Sequence, residues 1–97
     1  MSVKVTVDSN LRIKHVFEPP IEVELQDGEN TIKDVLRTLS AKYPYLRFIE
    51  QDEMGEDLRH VYVNGKSHFT FSEGLTKTLK QGDTVLVEAY MDPLAGG

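Results

Sequence analysis

The sequence predicts a single α+β domain in which one helix packs across one face of a mixed sheet. Three observations predict it. Apolar and polar residues alternate at both ends of the chain, one clear stretch of helical periodicity lies between them, and the length is 97 residues. Typical domains run to roughly 100–150 residues, so one domain is expected. The predicted order is strand, strand, helix, strand, short elements, strand, without internal repeats or linkers.

Two alternating runs predict the first two strands. Apolar residues alternate with polar ones at positions 3–7 and again at 21–25, which is the period of a half-buried strand. Between the runs lie the turn-forming residues Asp8-Ser9-Asn10 and the ladder-breaking segment Glu18-Pro19-Pro20. The stretch 11–17 is ambiguous, because it is compatible with an extension of either strand.

A change of period predicts the helix. Four apolar residues recur at the spacing of one helical face: Ile32, Val35, Leu36 and Leu39. Thr31 and Asp34 fit a relaxed capping box at the amino end. Pro44 disfavours helical backbone in the residue before it. The helix is therefore expected to run from about Thr31 to Lys42.

The second half of the chain is less regular until its last strand. Residues 51–57 are acidic and contain a glycine, so we expect an exposed loop there. Alternation at 61–63 is followed by Asn64-Gly65, which is typical of a tight turn. The last strand is predicted at 85–90, with its valines on one face. Phe69 and Phe71 are expected to share one face of a strand. Leu75 and Leu79 are expected to lie on a short helical turn.

Composition excludes several classes of function. The chain has 11 Lys and Arg against 16 Asp and Glu, a net charge of -5, which argues against nucleic acid and against anionic membranes as partners. There is no cysteine, so disulfides, thiolate metal sites and cysteine nucleophiles are excluded. No apolar stretch approaches the roughly 20 residues of a spanning helix, and no secretory apolar segment follows the amino terminus. We expect a soluble cytoplasmic protein.

The chain lacks a pattern typical of an enzyme active site. His15, His60 and His68 do not have the spacing of a helical metal site, and we interpret them as exposed or edge-strand histidines. Ser67 precedes His68 directly, and neighbours on a strand point to opposite faces. The acidic loop lacks the ligand pattern of an EF-hand, and the glycines form no phosphate-binding loop. Glu22 and Glu24 are interpreted as a solvated strand face.

The most informative feature is the sequence Gly96-Gly97 at the carboxyl end. Glycine has no Cβ to obstruct a narrow channel and adopts nearly any backbone angle. Residues 91–97 reach about 23–25 Å when extended. That length suffices to bring a main-chain carboxylate into the active site of another protein. We therefore expect two parts, a folded domain at 1–90 and a flexible tail at 91–97.

These residues resemble the ubiquitin-like sulfur-carrier proteins of the MoaD/ThiS family, most closely the MoaD-like branch, over nearly the whole length. The matching segments are Val3 to Val7, Asn30-Thr31-Ile32, Tyr43-Pro44, Val61-Tyr62-Val63-Asn64-Gly65, Gly74-Leu75, Thr78-Leu79, Gly82-Asp83-Thr84-Val85-Leu86-Val87 and Pro93-Leu94-Ala95-Gly96-Gly97. The most specific part is the last strand together with the terminal Ala-Gly-Gly. The resemblance implies the β-grasp fold, with which the predicted element order is compatible.

The resemblance also implies a function without an active site in this chain. Members of the family are adenylated at their terminal glycine by an ATP-using enzyme similar to the ubiquitin-activating enzymes, and sulfur then replaces the adenylate. By this resemblance Gly97 bears the reacting carbonyl, and Gly96, Ala95 and Leu94 line the partner's channel. The chain is expected to bind no cofactor, since ATP and magnesium are used by the activating enzyme. A larger subunit, such as the catalytic subunit of molybdopterin synthase, would accept the tail.

Three functions remain open at this point. The first is a sulfur carrier, with molybdopterin synthesis favoured and cysteine, thiazole or tRNA thiolation as alternative destinations. The second is a protein modifier joined to lysines through Gly97. The third is an interaction module that uses no tail chemistry, because a fold does not fix a function.

The docking surface is predicted only in outline. The candidates on the sheet face opposite the helix are Phe69, Phe71, Tyr90 and Met91. The alternative is that the phenylalanines belong to the core, because buried aromatic residues are common. The net negative charge predicts a complementary basic rim on the activating enzyme.

Overall fold

The computed structural model describes residues 2–90 and has the predicted α+β architecture. The main elements are β1 (Ser2–Ser9), β2 (Ile21–Gln26), α1 (Ile32–Lys42), β5 (Leu58–Val63) and β7 (Thr84–Ala89). The smaller elements are β3 (Ile49–Glu50), β4 (Glu53–Met54), β6 (Lys66–Ser67) and two 3₁₀ turns at His68–Thr70 and Gly74–Thr76. The predicted tail at 91–97 lies outside the described residues.

The five-stranded sheet has the order β2-β1-β7-β5-β6. Strand β1 pairs antiparallel with β2 and parallel with β7, and β7 pairs antiparallel with β5. The first and last strands therefore lie side by side in the middle of a mixed sheet. The last described residue, Tyr90, therefore follows a central strand.

The core lies between α1 and one face of the sheet. The four apolar residues of the helical face are fully buried, as predicted. The strands contribute the buried members of each alternating run: Val5, Val7, Val23, Leu25, Val61, Val63, Val85, Val87 and Ala89. The opposite sheet face, which we call the open face, carries no helix of the described residues.

The capping box at the start of α1 is confirmed. The Thr31 hydroxyl oxygen accepts a hydrogen bond from the Asp34 N–H at 3.2 Å, and the Asp34 carboxylate accepts one from the Thr31 N–H at 3.0 Å. These two bonds satisfy backbone donors that have no partner within the helix. The helix begins at Ile32, with Thr31 as its cap, and it ends at Lys42 as predicted.

The stretch 11–17 extends neither strand. Instead, Ile13 and Phe17 form a tight bridge in which each backbone N–H donates to the other's carbonyl at 2.8 Å. Phe17 is fully buried, with its ring 5.0 Å from that of Tyr43 and 6.4 Å from that of Phe48. This aromatic cluster fills the core beside the carboxyl end of α1. Such a contact between distant segments leaves no periodic pattern in the sequence.

The acidic segment 51–57 is more ordered than the expected loop. Strands β3 and β4 form a small hairpin whose turn residues, Gln51 and Asp52, have positive φ angles of 51° and 64°, as a tight hairpin turn requires. Gly55 is buried, and a Cβ at that position would lie 2.1 Å from the Arg47 carbonyl oxygen. Glycine at 55 therefore allows the two backbone segments to approach closely.

Phe69 and Phe71 do not share a strand face. Phe69 lies in the 3₁₀ turn His68–Thr70, where its N–H donates to the Ser67 hydroxyl at 3.1 Å. Leu75 lies in the second 3₁₀ turn as expected, whereas Leu79 follows that turn and is buried. Among residues 2–90, no helix is long and apolar enough to cross a membrane.

Candidate functional site

The site begins at the point where the tail leaves the sheet, which we call the tail root and define as Ala89, Tyr90, Asn10 and Asp57. Ala89 ends β7 and is buried. Beyond it the Tyr90 N–H donates to the Asp57 carbonyl at 3.0 Å. The last described residue is therefore still fixed to the segment that precedes β5.

Asn10 fixes the other side of the tail root. Its side-chain oxygen accepts a hydrogen bond from the Ala89 N–H at 2.7 Å, and its side-chain nitrogen donates to the Ala89 carbonyl at 2.9 Å. The side chain thus continues the β1–β7 pairing past the end of β1. Sequence reasoning assigned Asn10 only to a turn, and nothing in the pattern indicates this second role.

The reacting part of the predicted site lies beyond the root. Gly97, Gly96, Ala95, Leu94 and Met91 are outside the described residues, and their roles stay predictions. The structure places Tyr90, the last described residue, directly after the central strand β7.

A patch of ring and aliphatic side chains lies on the open face, and we define it as His60, Tyr62, Phe69 and Leu86. His60 and Tyr62 alternate with the buried residues of β5, so they point away from α1. The His60 ring lies 4.7 Å from that of Tyr62 and 4.9 Å from that of Phe69. Leu86 is opposite Tyr62 in the β5–β7 register.

Acidic side chains border this open-face patch. A shallow groove of about 450 Å³ runs beside it, and its lining includes Tyr62, Leu86, Asp8 and Glu88. Glu88 is paired with Arg59 at 3.5 Å. The arrangement is therefore an apolar centre bordered by Asp8 and by the Arg59–Glu88 ion pair.

The four predicted docking residues differ in how exposed their side chains are. Phe69 is 79% exposed and Tyr90 is 61% exposed, so neither belongs to the core. Phe71 packs against the core and is only partly exposed, with the Lys77 ammonium 5.3 Å from its ring centre. Met91 is outside the described residues. The alternation of β5 could have added Tyr62, which sequence reasoning did not single out.

Two histidines that are separate in sequence come together beside the open-face patch. The rings of His60 and His68 are 4.4 Å apart. His68 is buried, with its Nδ1 3.2 Å from the Val61 nitrogen, so the expectation of an exposed or edge-strand position is wrong for it. The His60 Nε2 lies 2.5 Å from the Ser67 hydroxyl oxygen, so this serine contacts the distant histidine.

The environment of His60 lowers its pKa below the usual histidine value. The main cause is burial, which disfavours the charged ring, followed by the charge of His68. Glu88 opposes the shift, and Arg59 adds to it. His60 therefore presents a neutral ring between Tyr62 and Phe69 at neutral pH. Within residues 2–90, no three His, Asp or Glu side chains are grouped as a metal site.

Comparison with solved structures identifies the architecture. A solution structure of the HVO 2177 protein of Haloferax volcanii is 26% identical and superposes with a TM-score of 0.74, covering 95% of this chain and 87% of that one. The solution structure of small archaeal modifier protein 1 of Methanosarcina acetivorans is 23% identical, with a TM-score of 0.68 over 100% and 99% of the two chains. The chain has the β-grasp fold of ubiquitin-like proteins.

A third solved structure has the same β-grasp fold. Small archaeal modifier protein 1 of Haloferax volcanii is 19% identical, with a TM-score of 0.63 over 95% of this chain and 98% of that one. No protein-family model and no curated protein sequence matches the chain. Two of these three structural neighbours are thus small archaeal modifier proteins, and in both cases the likeness extends over nearly the full length of the two chains.

Proposed function

We propose that this β-grasp protein is a carrier whose Gly97 carboxylate is activated by a separate adenylating enzyme and then converted to a thiocarboxylate. The observation that supports it most is the tail root. A central strand, held at its end by Asn10 and Asp57, leads directly into a short segment that ends in Gly96-Gly97. A rigid body with a narrow carboxyl-terminal arm suits delivery of one carboxylate into another protein's active site.

The proposed chemistry places the catalytic groups on the partner. A Gly97 carboxylate oxygen attacks the α-phosphorus of ATP and displaces pyrophosphate, which gives an acyl adenylate. Hydrosulfide supplied by the sulfur donor then attacks the acyl carbon, and the C–O bond to AMP breaks, which leaves the Gly97 thiocarboxylate and free AMP. A free carboxylate is a poor electrophile, whereas the mixed anhydride has a good leaving group. ATP and magnesium bind to the partner, and no acid or base of this chain is required.

The contribution of this chain is to bind and to position. The open-face patch docks on the activating enzyme, while Leu94, Ala95 and Gly96 lie in the enzyme's channel. Small residues near the end suit a narrow channel. The exposed ring of Phe69 provides the main apolar contact, since aromatic residues are common at the energetic centre of interfaces.

The first proposed destination of the sulfur is molybdopterin, with this chain as the small subunit of molybdopterin synthase. This assignment rests on the resemblance of the sequence to the MoaD-like branch. The larger catalytic subunit would then accept the tail.

A second candidate function is protein modification. It is favoured by the likeness to two proteins named small archaeal modifier proteins. The same Gly97 adenylate would serve, but a lysine amine on a target protein would displace AMP and form an isopeptide bond. The two functions share activation and differ only in the final nucleophile.

The proposal is tested by mass spectrometry of the full chain after incubation with a cognate activating enzyme, Mg-ATP and a sulfur donor. We expect a mass increase that corresponds to replacement of one Gly97 oxygen by sulfur. A chain extended by one alanine after Gly97 is the matched control and should remain unloaded while keeping the wild-type circular dichroism spectrum. Absence of both adenylate and thiocarboxylate with an enzyme active on its own carrier would refute the proposal.

Analysis of cell extracts separates the candidate functions. Peptides with an isopeptide bond from Gly97 to lysine favour the modifier, whereas free and thiolated chains alone favour the sulfur carrier. If a chain that lacks Gly96-Gly97 restored the function of cells from which this protein has been deleted, the result would instead favour an interaction module without tail chemistry.

A further inference from the structure

The free edge of the sheet at β2 is separate from the proposed route of Gly97 activation. Among residues 2–90, in the sheet order β2-β1-β7-β5-β6, β2 pairs only with β1. It lies three strand spacings, roughly 14 Å, from β5, and two spacings, roughly 10 Å, from Leu86 of the open-face patch on β7. A ligand at this edge would leave the open-face patch uncovered.

Hydrogen bonds of β1 show which backbone groups of β2 face outward. The Thr6 N–H donates to the Asp83 carbonyl and the Lys4 carbonyl accepts from the Gly82 N–H, both at 2.9 Å. Lys4 and Thr6 therefore direct their backbone groups toward the β7 side. They are opposite Glu24 and Glu22 in the register of the antiparallel pair. Lys4–Glu24 and Thr6–Glu22 are therefore non-hydrogen-bonded pairs, in which the two residues point their N–H and carbonyl groups away from each other.

The outward-facing groups of β2 consequently belong to Glu22, Glu24 and Gln26. The Gln26 carbonyl accepts a hydrogen bond from the Glu29 N–H at 2.9 Å. Within residues 2–90, the N–H and carbonyl of Glu22 and Glu24 have no hydrogen-bond partner. A row of such groups is a template on which another strand can pair.

A groove continues from this edge toward α1. Its volume is about 510 Å³, and its polar lining includes Glu24, Gln26, Glu29, Asp34, Arg37 and Thr38. It offers space for the side chains of an added strand that point to the helix side. The side chains that point to the other side would lie next to Glu22 and Glu24, which are exposed.

The charge of the β2 edge and of the adjoining groove indicates which kind of partner can bind there. Arg37 is already paired with Asp52 and lies 3.6 Å from an Asp34 oxygen. Within the described part of the chain, Glu24 and Glu29 have no basic group within ion-pair distance. Two basic residues lie in this region, Lys4 opposite Glu24 and Arg37 in the groove. They are outnumbered by four acidic residues, so the edge and groove carry a net negative charge: Glu22, Glu24, Glu29 and Asp34. A second copy of this chain would place glutamates of one β2 against those of the other, which is destabilising.

We propose that the β2 edge and the adjoining groove bind an extended segment of another protein that carries Lys or Arg at alternate positions. The segment adds to the sheet as a further strand. Its main chain bonds to the N–H and carbonyl groups of Glu22 and Glu24, and its basic side chains lie against the carboxylates of Glu22 and Glu24. Main-chain pairing supplies binding, and the alternate basic side chains supply selectivity.

The test is a titration of the isotopically labelled full chain with the peptide acetyl-Lys-Val-Lys-Val-Lys-Val-amide, followed by the amide chemical shifts. We expect shifts concentrated at 21–29, with new protection of the Glu22 and Glu24 amides from exchange. Two control peptides are matched to it. One replaces each lysine by glutamate, and the other carries an N-methyl group on the backbone nitrogen of every residue, which removes the main-chain donors on both edges of the peptide. Both should bind at least about tenfold more weakly.

Two variants test the site from the side of the protein. Glu24→Pro removes an outward-facing donor that is not used in the pairing with β1, a position where a strand tolerates proline. The double substitution Glu22→Lys with Glu24→Lys keeps the backbone and reverses the charge. Each should weaken binding by about tenfold or more. The double variant preserves the test if Glu24→Pro fails to fold.

Other outcomes would overturn the proposal. Shifts centred on the open-face patch would show that the basic peptide binds elsewhere. Equal binding of the N-methylated peptide would show attraction without strand pairing. Self-association of the unliganded chain through 21–26 would show that a second copy is the occupant. Absence of any shift at millimolar peptide would exclude this ligand class.

Discussion

Asn10 and Ala89 come from opposite ends of the chain and are joined by two hydrogen bonds. The Ala89 N–H donates to the Asn10 side-chain oxygen at 2.7 Å, and the Asn10 side-chain nitrogen donates to the Ala89 carbonyl at 2.9 Å. An amide side chain can do this because it carries both an acceptor and donors. Asn10 thereby substitutes for a backbone partner where β1 has ended. The start of the tail is held in line with the central strand.

Replacement of Asn10 should disturb the path of the tail. In Asn10→Ala both bonds are lost, and we expect the free energy of unfolding to fall by about 1–3 kcal/mol. The rate of Gly97 loading should fall as well, because the tail root loses its fixed direction. Asn10→Asp keeps the acceptor for the Ala89 N–H and should lie between alanine and wild type. Loading that is unchanged in a destabilised Asn10→Ala chain would contradict the positioning role.

Phe69 should contribute to partner binding and little to stability. Because its side chain is 79% exposed, Phe69→Ala should change the free energy of unfolding by no more than about 0.5 kcal/mol. We expect kcat/KM for adenylation, measured by ATP–pyrophosphate exchange, to fall by about tenfold or more. Tyr45 is 54% exposed and outside the open-face patch, so Tyr45→Ala is the matched control. Equal losses in both variants would count against docking at Phe69.

His60 should make stability depend on pH. Since the folded state lowers the pKa of His60, the folded chain binds this proton less readily than the unfolded chain. Stability is then full above the unfolded value of about 6.5 and falls as the pH drops through it toward the folded value. Thermal melts from about pH 5 to 8 should show this decline, and His60→Gln should reduce its slope.

The control for this pH effect is His15→Asn. His15 is exposed and has a positive φ of 66°, which asparagine tolerates. Melts of this variant should retain the wild-type slope. If His60→Gln and wild type have the same slope over the whole range, burial of His60 is not the source of the dependence.

Among residues outside the helices and strands, Phe17 should cause the largest loss of folding stability when its side chain is truncated. Truncation by Phe17→Ala removes the ring that contacts Tyr43 and Phe48 and leaves a cavity, so we expect a loss of about 3–5 kcal/mol in urea denaturation. The neighbouring Val16 is 44% exposed, and Val16→Ala should change stability by about 0.5 kcal/mol or less. Similar midpoints for both variants would contradict the packing of Phe17.

The elements that sequence reasoning predicted correctly are those with a local physical cause. The helical face of Ile32, Val35, Leu36 and Leu39 and the cap at Thr31 are properties of adjacent residues, and the structure has both. Alternation likewise predicted the buried faces of β1, β2 and β7. Segments with contacts to distant residues were predicted less well, as the burial of Phe17 and His68 shows.

The sequence by itself determined the α+β class, the main elements, the negative charge and the Gly96-Gly97 end that carries the proposed chemistry. These depend on periodicity and residue type, which are local. Only the tertiary structure decided that Asn10 holds the tail root, that His60 meets His68 and Phe69, and that β2 is left with a free edge. Those relationships depend on strand order and register, which place residues from distant parts of the chain within a few ångströms of one another.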